Sequence, residues 1–369
     1  MNTKALGIIF SNIHDKELEP LTHSRTIGSV PICGRYRLID FALSNMVNTG
    51  ITKVGVVTKE HYQSLIAHIG SGKSWDLARK NGGLVLLPPF ASYQTRLYKS
   101  RLDALIHIEH FIQKSIEPFI VLSDCDSVCN INYLPYLNRH IANNADITVL
   151  YNKKPPSKTC KNLFLTLDKT NRIIKSSLKS TVNTPSNIFA NIVIISKSVL
   201  LNCIKLGKEE GLTSFSKDVL SRTKAFRIFG EKINDIFMPI ESLLGYYNVN
   251  MALLDENIRD NLFYNGRPIF TKVQDTSPFL ATKSAIIKNS LIADGCTVEG
   301  DVENSILFRG CFIAKGAKVK NSVLFEGTQI KENSNLNYII CDNDVKIGKN
   351  ITLSGHFNYP HYVARNTVI

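Results

Sequence analysis

Asn289-Ser290-Leu291-Ile292 recurs as Asn304-Ser305-Ile306-Leu307, as Asn321-Ser322-Val323-Leu324 and, more weakly, as Asn337-Tyr338-Ile339-Ile340. The copies lie 15, 17 and 16 residues apart. In the first three a second aliphatic follows six residues on, Ile292 to Val298, Leu307 to Ile313 and Leu324 to Ile330. Gly295, Gly310 and Gly327 punctuate the turns between them. Three short faces of about six residues make one coil of a parallel β-helix, each face sending one aliphatic inward. Stacked coils stabilise their neighbours, so four imperfect copies support one another. The spacing predicts a parallel β-helix over 281–369.

Upstream the pattern changes to apolar strand-like runs separated by helical spacing. Ala5–Phe10, Lys53–Thr58, Phe119–Ser123, Asp146–Tyr151 and Ile188–Ile195 read as strands. Tyr62–Ile69, Arg101–Gln113 and Ile240–Asp260 read as helices. Continuous apolar strands alternating with helices predict an α/β domain with a mostly parallel sheet covered on both faces. Ligand chemistry in such sheets gathers at the carboxyl ends of the strands, here near Ser11, Thr58–Lys59 and Ser123–Ser127. Residues 266–280 hold Pro268 and Pro278 and no helical period. They divide an α/β domain over 1–265 from the β-helix over 281–369 as an extended connector.

Composition narrows the partners. The chain has 369 residues, 44% hydrophobic and 20% charged, which excludes a disordered chain. No run reaches the ~18 apolar residues of a membrane span. The start reads as a buried strand and not a signal peptide. Eight scattered cysteines without a CxxC pair argue against structural zinc and for reduced thiols in a cytoplasmic protein. The net charge is +13, and 151–232 holds 16 Lys+Arg against 5 Asp+Glu. That excess reads as a solvated face or as a surface for an anionic effector or partner. No aromatic RNA-binding signature accompanies it, so nucleic acid is not the expected partner.

Arg35-Tyr36-Arg37-Leu38-Ile39-Asp40-Phe41-Ala42-Leu43-Ser44-Asn45 closely resembles the block that marks ADP-glucose pyrophosphorylases. Asn48-Thr49-Gly50-Ile51, His68-Ile69-Gly70-Ser71-Gly72, Trp75-Asp76-Leu77 and Asn81-Gly82-Gly83 continue the likeness. Arg267-Pro268-Ile269 resembles the family's connector. The resemblance covers nearly the whole chain. It implies a nucleotidyltransferase domain of the glycosyltransferase A type followed by a left-handed parallel β-helix. It also implies the chemistry of ATP and glucose 1-phosphate giving ADP-glucose and pyrophosphate in bacterial glycogen synthesis.

The catalytic motifs depart from that family. Its glycine-rich phosphate loop answers to Asn12-Ile13-His14-Asp15-Lys16-Glu17-Leu18, with no glycine and with Glu17 at the arginine position. Asp15 and Glu17 are expected to face a polyanion, and like charges near 4 Å cost about 4 kcal/mol at an effective dielectric of about 20. Of the next motif Arg25 survives and the phosphate-binding lysine is Ile27. The base-contacting motif becomes Ser100-Arg101-Leu102-Asp103-Ala104, whose Arg101 and Leu102 are large enough to fill the base pocket. Of two magnesium-binding aspartates the first answers to Asp126 and the second to Pro239, which has no ligand atom. Glu241 lies two residues beyond and substitutes only after a local shift of register. Lys179 answers to the sugar-phosphate lysine, without its glutamate.

Asp126 reads equally as a remnant ligand or as a cap on the following turn. Arg37 and Asp40 are expected to pair and order their loop. His14, His61 and His68 form no metal triad by spacing, and Ser24 stands where effector-responsive members carry a lysine. The β-helix lacks a well-placed histidine for acyl transfer, since His356 and His361 lie beyond the clearest repeats. Losing one charge-stabilising donor costs a factor of about 10²–10³ in rate, and several are lost together. The pattern resembles the GlgD-type regulatory subunits of the family. That resemblance implies a non-catalytic or weakly catalytic chain with no cofactor of its own. It implies a hetero-oligomer, as a tetramer, with a catalytic GlgC-type subunit that carries the magnesium, and self-association is a further option. Neither nucleic acid nor membrane is expected. An active nucleotidyltransferase is the alternative reading.

Overall fold

The computed structural model describes residues 5–89, 98–154, 162–178 and 185–369. They gather into two compact units that interleave along the chain. The first holds the chain up to His14, Phe41–Pro239 and Arg267–Phe270. The second holds Asp15–Asp40, Ile240–Gly266 and Thr271–Ile369. This division differs from a linear cut at 265 and 280, because Asp15–Asp40 and Ile240–Gly266 cluster with the coil residues.

The first unit is a nine-stranded sheet. Gly83–Leu87, Lys53–Val57, Ala5–Phe10 and Phe119–Asp124 lie side by side in parallel. Ala5–Phe10 is buried along its whole length, as an apolar central strand must be when both faces are covered. Beyond Phe119–Asp124 the order becomes mixed. The long strand Ser186–Ser196 runs antiparallel to Phe119–Asp124, to Ile147–Lys154 and to Phe164–Leu167. Ile228–Lys232 then pairs in parallel with Ile147–Lys154. The pairing of Ser186–Ser196 slips between Phe189 and Val193, and Asn191 takes a φ of 58° in that irregularity.

Two expected helices are interrupted. Arg101–Gln113 is split at Ile108 into Arg101–His107 and Glu109–Gln113. Ile240–Asp260 is split into Leu243–Ala252 and Glu256–Phe263. The second break has a local cause, since the Asp255 side chain accepts the Asn257 amide and starts a new helix. The Asp40 carboxylate likewise accepts the Arg37 amide at 3.0 Å, closing the first turn of the helix Leu38–Asn48 from within. At the connector the Asn48 side chain donates to the Pro268 carbonyl, and the Phe270 amide donates to Ser44.

The second unit contains three five-stranded parallel sheets, the three faces of a β-helix that begins at Leu280. Val298, Leu307, Ile313, Leu324 and Ile330 fill its interior. Asn289, Asn304 and Asn321 hold the left-handed corner with φ of 42°, 46° and 46°, the region that asparagine tolerates better than most side chains. In the fourth coil the corner residue is Tyr338, φ 56°, and Val323 pairs with Ile340. The true step there is 17 residues, not the 16 obtained by aligning Asn337. A neighbouring asparagine misdirects the repeat, because backbone pairing and not residue identity sets the register.

Candidate functional site

The site lies in the first unit, at the carboxyl ends of its central strands. Ala5–Phe10 runs out into Ser11-Asn12-Ile13-His14, and Phe119–Asp124 turns through Cys125-Asp126 into the short strand Ser127–Cys129. Asn12 ties this rim together. Its side-chain oxygen accepts the Lys59 amide and its amide donates to the Glu60 carbonyl. Ile13 packs against the main core.

Three ligand-type side chains converge here. His14 Nε2 lies 2.7 Å from Asp124 Oδ2 and 3.7 Å from Asp126 Oδ2. Arg101 is buried and forms an ion pair with Asp124, with Nε at 3.3 Å from Oδ1. It also donates to the Asn191 side-chain oxygen at 3.2 Å, and the Asn191 amide donates to Asp126 Oδ2 at 2.6 Å. The guanidinium carbon sits 5.7 Å from the ring centres of both Phe10 and Phe189. A cation over aromatic faces is favoured by about 0.5–2 kcal/mol. Leu102 is fully buried in the core beside it.

Burial raises both carboxylates, yet their net shifts are opposite. Burial alone raises Asp124, but the Arg101 charge and the His14 hydrogen bond outweigh it and hold that carboxyl below its ordinary value. At Asp126 the His14 charge, the Asn191 hydrogen bond and the Arg101 charge pull downward but do not offset burial. Burial pushes it up to about 6, and the Asp124 charge adds to the effect.

His14, Asp124 and Asp126 bring their ligand atoms within 4.8 Å of one another. The set nevertheless does not suit magnesium. That ion requires an octahedron of hard oxygens, whereas Asp124 is engaged by Arg101 and His14, and Arg101 already supplies a positive charge. Pro239 pairs with Ser127, directly beside the Asp126 turn, and presents a ring with no donor.

The other expected site residues are placed elsewhere. The Asp103 carboxylate accepts the Lys99 amide at the start of the helix Arg101–His107. Lys179 lies outside the described residues. Arg25, Asp15, Glu17 and Ile27 belong to the second unit. There the Asp15 carboxylate accepts the Ile27 amide at 2.8 Å, Glu17 is exposed and Ile27 is buried. Arg25 is buried, with Nη2 2.6 Å from Asp342, whose other oxygen accepts the Tyr362 hydroxyl.

His14 forms no triad with His61 and His68, as the spacing predicts, and it meets two carboxylates instead. Asp124 ends the strand, one residue beyond the expected Ser123, and Asp126 lies in the turn that follows. Asn191 was missed altogether. Its signal is a single amide inside the apolar run Ile188–Ile195, where an irregular strand redirects a side chain.

Comparison with known proteins agrees with both parts of the fold. Residues 7–175 match the nucleotidyl transferase family model, and 277–356 match the GlmU-like C-terminal hexapeptide model. The glycogen biosynthesis protein GlgD of Bacillus subtilis strain 168 is 34% identical over 368 residues, covering 100% of this chain and 97% of that protein. GlgD of Geobacillus stearothermophilus is 35% identical over 323 residues, covering 86% of this chain and 84% of that protein. The glucose-1-phosphate adenylyltransferase of Acetivibrio thermocellus is 28% identical over 362 residues, covering 96% and 85%. Among the described residues no helix is long and apolar enough to cross a membrane. With the three-sheet β-helix, the nucleotidyltransferase sheet and full-length likeness in hand, the chain belongs to the ADP-glucose pyrophosphorylase family, as a GlgD-like protein of glycogen biosynthesis.

Proposed function

We propose that this chain is a non-catalytic regulatory subunit that associates with a catalytic GlgC-type subunit and modulates its formation of ADP-glucose. The observation that carries the reading is Arg101, inside the segment that resembles the family's base-contacting motif. Its guanidinium is paired with Asp124 and Asn191 and flanked by Phe10 and Phe189. A side chain held this way occupies space that a nucleotide needs. It also neutralises Asp124, the buried carboxylate beside Asp126. Phosphoryl and nucleotidyl transfer depend on positioning and on cations at the phosphates, and Glu17, Ile27 and Pro239 supply none. Magnesium accordingly belongs to the catalytic partner. The full-length likeness to GlgD proteins supports the hetero-oligomer, and a tetramer is the form proposed, closed symmetric assembly being the norm for such chains.

The test compares the purified chain, a catalytic GlgC-type subunit, and their mixture. The expected result is no ADP-glucose formation by the chain alone, co-migration of the two on sizing, and an altered rate in the mixture. Separate migration with an unchanged partner rate refutes the proposal. Magnesium-dependent ADP-glucose formation by the chain alone, lost in Asp126→Ala, establishes instead a weak nucleotidyltransferase. The convergence of His14, Asp124 and Asp126 is the feature that would favour that second reading.

A further inference from the structure

The second unit contains a groove that the nucleotidyltransferase chemistry does not use. One wall is the helix Leu243–Ala252, and the other is the asparagine corner of the β-helix. Its volume is about 560 Å³, within the roughly 300–1,000 Å³ typical of small-molecule sites. The asparagines form a ladder along it. Asn289 donates to Asn304 at 2.8 Å, Asn304 to Asn321 at 3.4 Å and Asn321 to Asn337 at 2.9 Å.

Each side-chain amide has two N–H groups and two lone pairs. A ladder bond on each side consumes one of each at Asn304 and Asn321, so a second N–H and a second lone pair remain at every step. The steps repeat at the separation of adjacent strands, about 4.8 Å. The floor thus offers paired donors and acceptors at a regular interval.

The rest of the lining mixes three aromatic rings with Met251, Leu254 and Asn248 and carries one charge. Tyr247 is fixed by its hydroxyl, which donates to the Asn321 carbonyl at 2.8 Å, and its ring lies 6.4 Å from that of Tyr338. Phe357 stands at the mouth with 55% of its surface exposed. Asp255 is the one charged lining residue, and no lysine or arginine is among them. A phosphate or nucleotide would find no counter-charge here and would meet a carboxylate. A neutral polyol ring suits both features, since its hydroxyls exchange hydrogen bonds with amides and its C–H faces rest on electron-rich aromatic faces.

We propose that this groove binds a neutral carbohydrate, with Asn248, Asn304 and Asn321 reading hydroxyl groups and Phe357 covering a sugar face. The site is independent of the regulatory reading above and stands or falls without it. Free sugar and the end of a polysaccharide share this chemistry, so the probes distinguish them. Glucosyl probes are chosen because the chain is a GlgD-like protein of glycogen biosynthesis.

The full chain is titrated with glucose, with a linear glucose oligosaccharide and with soluble glycogen, followed by saturation-transfer NMR and affinity electrophoresis. The expected result is saturable binding that Phe357→Ala and Asn248→Ala each weaken about tenfold. Both residues are exposed, and an unchanged circular dichroism spectrum verifies that each variant is folded. Binding of glucose itself identifies a monosaccharide site, and binding of only the longer probes identifies a polysaccharide site. Either supports the proposal. Absence of saturable binding by all three probes overturns it, as does binding that both variants leave intact. Phe357-dependent binding that prefers glucose 1-phosphate over glucose overturns the assignment to a neutral ligand.

Discussion

A guanidinium buried against two rings and a carboxylate, as Arg101 is, leaves little of the site to a substrate. Asp126 beside it is the residue whose charge the fold resists. Its pKa is raised to about 6 from an ordinary 3.8, so the folded state prefers the protonated carboxyl. That preference stabilises the fold fully below pH 3.8 and is lost as the pH rises through about 6. At 1.36 kcal/mol per pH unit the buried charge costs about 3 kcal/mol at pH 8. Asp126→Asn keeps an oxygen for Asn191 and removes the charge. It is expected to raise the thermal midpoint clearly at pH 8 and hardly at pH 4. Equal gains at both values would contradict the assigned cause. The sequence made Asp126 visible as a match to a family ligand position and Arg101 as a departure from the family pattern. It did not reveal that His14 and Asn191 complete the cluster. His14 reaches it from the end of one strand and Asn191 from an irregularity in another.

Among the elements, the β-helix was the most legible and its fourth coil the least. The inward aliphatics lie where the spacing puts them because three flat faces can close only around one apolar residue each. What spacing could not convey is the serine column beside the asparagine ladder. Ser290 accepts the Ser305 amide, Ser305 accepts the Ser322 amide, and Ser322 accepts the Ile339 amide at 3.1 Å. Ser322 and Ile339 are fully buried. Ser322→Ala strands the Ile339 N–H away from water, and an unsatisfied buried donor costs about 1–3 kcal/mol. Denaturant unfolding is expected to register that loss, and a distinctly smaller one for Ser290→Ala nearer the open end. Equal losses would show that the column does not act through burial. The interrupted helices follow the same logic, since Asp255 ends one helix by starting the next, a local competition that apolar periodicity does not register.

For the whole molecule, the interleaving of the chain carries the main consequence. Asp15–Asp40 and Ile240–Gly266 cluster with the coil residues. Arg25 takes its counter-charge from Asp342, Tyr247 its acceptor from Asn321, and Tyr246 packs edge-on against Phe325. A fragment ending at residue 265 deprives all three of their partners. An unpaired buried arginine alone costs about 3–5 kcal/mol. Residues 1–265 expressed alone are therefore expected to aggregate or to bind a hydrophobic dye. A monodisperse fragment melting at the full chain's midpoint would contradict that expectation. The charge of +13 remains a property of composition, concentrated in 151–232, part of which lies outside the described residues.

By itself the sequence determined the two architectures, the family resemblance and the loss of the phosphate-binding groups. Those depend on periodicity and residue type, which are local. Only the tertiary structure decided what fills the space left behind. His14, Arg101, Asp124, Asp126 and Asn191 come from four separate stretches of chain. Whether a buried charge meets a cation, a carboxylate or an amide depends on distances of a few ångströms, and strand order sets those distances.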